Sequence, residues 1–143
     1  MPYRYLDDIA TADIAFEAWG DTLEELFTAS AEAVLNVMLE NPDSIIERER
    51  LTIQCEADSR EMLLFHLLEE LVYYKDAERL FLKLSDVVIE SRDNRFFLTA
   101  NAHGELIDPE RHELNADVKA VTLHRFALEM TERGWTATVV LDI

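Results

Sequence analysis

Apolar and polar residues alternate from Thr11 to Trp19, with Ala12, Ile14, Phe16 and Ala18 on one side and Asp13, Glu17 and Trp19 on the other. A period of two marks a half-buried strand, and Gly20-Asp21 ends it. Thr22 and Glu25 then have the spacing of a capping box. Behind them Leu23, Leu26, Phe27, Ser30, Val34, Val37 and Met38 recur at three and four, which predicts a helix to about Leu39. Asn41-Pro42-Asp43 stops it. Ile45 to Ala57 reads as a strand with Leu51, Ile53 and Cys55 on one face. Asp58 and Glu61 repeat the cap signature. Met62 to Tyr74, with Leu64, Leu67, Leu68 and Leu71, is apolar over much of its circumference and predicts a central, well-buried helix.

The second half reads as strands. Phe81–Ile89 and Phe96–Ala102 form a hairpin turning at Arg92-Asp93-Asn94, and Gly104 to Glu113 is a polar loop. Val118, Ala120, Thr122, His124, Phe126, Leu128 and Met130 share one face of a long strand. Thr131-Glu132-Arg133-Gly134 turns it. In the last strand Trp135, Ala137, Val139 and Leu141 face one way, and Thr136, Thr138, Val140 and Asp142 the other. The order is β-α-β-α followed by several strands. That predicts an α+β class, with the helices packed on mostly antiparallel sheet.

A length of 143 residues fits a single domain, residues 1–143, able to bury a core without staples. The formal charge is −17, which repels phosphate and argues against broad nucleic-acid binding. It suits solubility, or steering toward a basic partner or a cation. One cysteine, Cys55, cannot form an internal disulfide and suits a reducing cytoplasm. Its place on an apolar strand face predicts an inert thiol. Met1-Pro2-Tyr3-Arg4-Tyr5 lacks the pattern of a signal peptide, and no apolar run is long enough to span a bilayer.

No nucleophile elbow, Gly-rich phosphate loop, cysteine pair or His-Glu-x-x-His is present. His66, His103, His112 and His124 are not spaced as a metal pair. His66, within a helix, and His124, on an apolar strand face, read as hydrogen-bonded structural residues. Lys119 reads as a solvated strand lysine. Among the carboxylates, Asp13 and Asp142 stand out, because aspartate is disfavoured in strands and each falls on the polar face of its strand. If those strands are neighbours, both carboxylates converge with the carboxylate of Ile143, an oxygen set suited to Ca²⁺ or Mg²⁺. Otherwise they are strand-end aspartates facing water.

These residues together resemble the archease family. Thr11-Ala12-Asp13-Ile14, Ala18-Trp19-Gly20 and Thr22-Leu23-Glu24-Glu25 are similar to its opening, and Glu105 through Asp108 with His112 to its middle loop. Asp117-Val118-Lys119-Ala120-Val121-Thr122-Leu123-His124 resembles its most distinctive stretch, and Gly134-Trp135 with Val139-Val140-Leu141-Asp142-Ile143 its ending. The pieces run in order over nearly the whole chain. The histidine usual before Thr-Ala-Asp is Ala10 here, Asp7 to Ala10 is longer than usual, and an aromatic before the strand histidine is Leu123. The resemblance implies a cytoplasmic protein cofactor, not an enzyme, that assists the GTP-dependent RNA ligase of tRNA splicing. Such a protein promotes guanylylation and multiple turnover of a ligase joining ends that carry a 2′,3′-cyclic phosphate or 3′-phosphate. It also implies a metal site at Asp13, Asp142 and Ile143, with Lys119 as a further functional residue. On the residues alone two other readings stay open: a metal-dependent hydrolase using Asp13 and Asp142, and a chaperone-like acidic module.

Overall fold

The capping chemistry read from the sequence sets the start of each helix. In the computed structural model, which describes residues 2–6 and 13–143, helix α1 spans Leu23–Met38. Thr22 Oγ1 accepts from the Glu25 N–H (3.1 Å), which meets one orphan donor of the helix, and the Glu25 carboxylate reaches back past the cap to accept from the Asp21 N–H (2.9 Å). Helix α2, Arg60–Glu78, begins one residue later than expected: Ser59, not Asp58, caps it through the Met62 N–H at 3.1 Å. It buries Leu63, Leu64, Leu67, Leu68, Leu71 and Val72.

Among the described residues seven strands accompany the helices: β1 Tyr3–Leu6, β2 Asp13–Gly20, β3 Glu49–Ala57, β4 Leu80–Arg92, β5 Arg95–Leu106, β6 Ala120–Thr131 and β7 Gly134–Asp142. All their pairings are antiparallel, and they form two sheets, ordered β1-β2-β7-β6 and β3-β5-β4. Helix α1 lies against β2 and β4, and α2 against β3 and β6, so each helix touches both sheets. One core runs through both, built on Phe16, Phe27, Leu64, Leu67, Leu98 and Leu141. The expected α+β class holds, with a short β1 that the alternation rule did not reveal. Thr11 and Ala12, placed in the β2 pattern by the sequence, lie outside the described residues, as do Asp7 to Ala10.

Three expectations need correction. The segment from Ile45 enters its strand only at Glu49, after a 3-10 turn at Pro42–Ser44. Gly104 belongs to strand β5, not to a loop, and a Cβ there would run into the Phe81 carbonyl oxygen across the ladder. The long strand does not keep one face. Between Thr122 and Ala127, five steps on β6 match two on β7, leaving three extra residues. An odd excess exchanges the faces. Val121 points into the core before the bulge and Leu128 after it, while His124 is exposed rather than on an apolar face. Arg125, in the bulge, has a left-handed φ of 54°. The β4–β5 hairpin turns where expected, with Asp93 and Asn94 both left-handed (φ 51° and 63°), as a two-residue hairpin loop requires.

Candidate functional site

Asp13 opens β2 and Asp142 closes β7, and the antiparallel register sets the two residues directly opposite each other. In β2 the core takes Ile14, Phe16 and Ala18, so Asp13 shares the outward face with Glu17 and Trp19. In β7 the core takes Ala137, Val139 and Leu141, which puts Asp142 on the same outward face. Residues so opposed have Cβ atoms about 5 Å apart. On the far side of Asp142 stands Ala120 of β6, and the preceding residue, Lys119, donates its N–H to the Asp142 carbonyl at 2.8 Å. Asp13, Asp142 and Ile143 are half-buried, and Lys119 is exposed. Ala15 and Val140, the next pair on the outward face, are fully buried. The row Asp13–Asp142–Ala120 therefore borders a dry patch.

Two polar clusters, each built on a buried charged side chain, Glu105 in one and Lys75 in the other, hold the segment that leads into this row. In the first, Glu105 accepts from the Ile46 N–H (2.9 Å) and from His112 Nε2 (2.9 Å), with Arg111 and Arg48 also paired to it. His112 Nδ1 accepts from the Asp108 N–H at 2.9 Å, so the ring proton belongs on Nε2 and the imidazole is neutral. Burial, reinforced by the Arg111 charge, lowers the His112 pKa from its usual value. In the second, Lys75 of α2 donates to Asp117 and to the Val118 carbonyl.

The chain matches the model of the Archease protein family (MTH1598/TM1083) over residues 3–143. It belongs to the archease family. It is 41% identical to protein archease of Pyrococcus furiosus over 134 residues, which covers 93% of this chain and 94% of that one. It is 37% identical to protein archease of Archaeoglobus fulgidus, with both chains covered in full (100%). Its fold is similar to the solution structure of Methanobacterium thermoautotrophicum protein 1598, with a TM-score of 0.85, 34% identity and 99% of each chain covered. A crystal structure from Thermotoga maritima, described as an archease and possible chaperone, shares the fold at a TM-score of 0.61 and 20% identity, over 94% of this chain and 93% of that one.

In this archease, then, the fold gathers Asp13, Asp142, Ile143 and Lys119 at one end of the four-stranded sheet. The polar side chains at this end are two carboxylates and one ammonium, and only the carboxylates and main-chain carbonyls offer oxygen of the kind a hard cation takes. Among the described residues, however, no three His, Cys, Asp or Glu side chains come together to hold a metal. A cation here would rest on two carboxylates, main-chain oxygen and water. Among the histidines, His66 sits half-exposed beside Glu69 (3.3 Å). Cys55 is half-buried, and burial pushes its thiol up to about 11, in keeping with an inert residue. Sequence reasoning passed over Lys75, although the signal was present: Leu64, Leu67, Leu68 and Leu71 lead to it at helical spacing, so a lone charge lies on the apolar stripe. Among the described residues no helix is long and apolar enough to cross a membrane.

Proposed function

We propose that this archease is a protein cofactor of a GTP-dependent RNA ligase acting in tRNA splicing, with no chemistry of its own. Its task is to promote guanylylation of the ligase and repeated turnover on ends bearing a 2′,3′-cyclic phosphate or 3′-phosphate. The observation that carries the reading is the in-register pairing of Asp13 with Asp142, one residue away from Lys119. Two opposed carboxylates repel each other. A divalent cation between them, Ca²⁺ or Mg²⁺, removes that repulsion, with Ile143 main-chain oxygen and water completing the shell. In this reading Lys119, an exposed base whose N–H bonds the Asp142 carbonyl, meets an anionic group of the partner or its nucleotide.

A hydrolase reading is weaker. The sequence around Asp13 and Asp142 carries no nucleophile elbow, Gly-rich phosphate loop or His-Glu-x-x-His to supply a positioned nucleophile or base. The description of the Thermotoga protein keeps a chaperone-like role as the alternative that the test must separate. The test compares wild type, Asp13→Ala and Asp142→Ala in guanylylation of the same organism's ligase, with circular dichroism as fold control. Either variant should lose stimulation while stability changes by less than about 1 kcal/mol, because a half-exposed strand-end aspartate contributes little packing. Folded variants that still stimulate fully would refute the site. A wild type that gives no stimulation but suppresses aggregation of a denatured client would transfer the case to the chaperone reading.

A further inference from the structure

Lys75 is 4% exposed, near the end of α2, and among the described residues the acceptors of its ammonium lie next to it in sequence or in the segment entering β6. It donates to the Asp117 carboxylate at 2.6 Å and to the Val118 carbonyl at 2.7 Å, and pairs with Asp76. The very next residue, Lys119, is the one whose N–H bonds the Asp142 carbonyl. A buried ammonium is tolerated only where its donors are all engaged. Here the engagement links the core helix to residues 117 and 118 and, through residue 119, to the strand end bearing Asp142.

We propose that Lys75 is a positioning residue for the Asp13–Asp142–Lys119 end of the sheet: it fixes Val118 so that Lys119 and Asp142 stay paired. The need for such a restraint follows from the register. Two like charges directly opposite at strand ends push the last rungs of the ladder apart. The pairing of β6 with Asp142 begins only at Ala120, so little ladder lies beyond it to resist fraying. The proposal rests on the reading of that strand end as the functional site.

The test replaces the ammonium while keeping most of the stem, in Lys75→Met. Both carboxylate partners are largely in water, at 68% exposure for Asp117 and 56% for Asp76, so the substitution strands no buried charge. The variant should therefore fold. Amide hydrogen exchange at Lys119 should quicken by about tenfold or more relative to amides of the α2 and β5 interior, which a merely global loss of stability would not produce. Affinity for Ca²⁺ or Mg²⁺, titrated calorimetrically with the metal alone, should fall roughly tenfold, as when an outer-shell support of a ligand is removed. Lys75→Arg should recover part of both. Should Lys75→Met not fold, Asp117→Asn tests the same link from its exposed side and should show the same local quickening to a smaller extent. Unchanged Lys119 exchange in a folded Lys75→Met overturns the proposal. A wild type that binds neither metal overturns the cation reading of the site instead, and the exchange comparison still decides the role of Lys75.

Discussion

At the scale of single residues, protonation is fixed by geometry that can be read atom by atom. His112 is buried, its Nδ1 receives the Asp108 N–H, and its Nε2 faces the Glu105 carboxylate. A proton on Nδ1 would break the first of these bonds. Burial thus holds the folded pKa below the ordinary histidine value of 6.5. Below that pH the unfolded state binds more protons than the folded one, so stability falls as the pH drops through this window. Above it the contribution is fully present. His112→Gln keeps a donor and an acceptor but cannot titrate. Chemical denaturation between about pH 7.5 and 5.5 should show a shallower loss for this variant than for wild type, and an NMR titration should place the wild-type midpoint below 6.5. Equal slopes would mean that His112 is not linked to folding. The aspartates at the strand ends could be picked out in the sequence because aspartate is out of place in a strand. Glu105 and His112 were visible only as parts of a loop, because the partners that bury them come from Ile46, Arg48 and Phe81, far away in sequence.

At the scale of elements, what the sequence revealed were features carried by local chemistry. Thr22 with Glu25 and the two left-handed residues Asp93 and Asn94 act within four residues of themselves, and both were legible. The face of β6 was not, because strand alternation carries no sign of an inserted bulge unless a glycine or proline marks it, and Leu123-His124-Arg125-Phe126 contains neither. The bulge has an arithmetic consequence. With three residues in excess, deleting Leu123, His124 and Arg125 should leave a continuous ladder in which Phe126 faces Val139 and Leu128 still points inward. The variant also removes an exposed leucine and a left-handed arginine. It should fold, with a melting temperature within a few degrees of wild type. Deleting Phe126 as well shifts the parity, turns Leu128 to water and should cost about 2 kcal/mol or more. Equal melting temperatures for the two deletions would show that the register of β6 is not set by its pairing with β7.

At the scale of the whole molecule, charge decides what the site can approach. Thirty acidic residues against thirteen basic ones set a formal charge of −17, so a polyanion meets repulsion over most of the surface. Lys119 is an exposed base, but a single lysine cannot supply the phosphate contacts on which RNA affinity depends. In the proposed role the ligase therefore holds the RNA, and the archease is drawn to a basic region of the ligase near its nucleotide site. Long-range attraction of that kind acts on the encounter more than on the docked complex, and salt screens it over about 10 Å at 0.1 M. Two measurements follow. Mixed with tRNA halves alone at about 50 mM salt, the protein should cause no mobility shift. With immobilised ligase, the association rate should fall by about tenfold or more between 50 and 500 mM salt, while the dissociation rate changes far less. Reversing the charge of exposed residues remote from the strand end, as in Glu132→Lys with Glu129→Lys, should slow association without abolishing guanylylation at saturating protein. Asp142→Ala, by contrast, should leave association nearly intact and remove the stimulation. A salt-independent association rate would mean that the acidic surface serves solubility only, and tight binding of RNA by the protein alone would place its partner among nucleic acids rather than proteins.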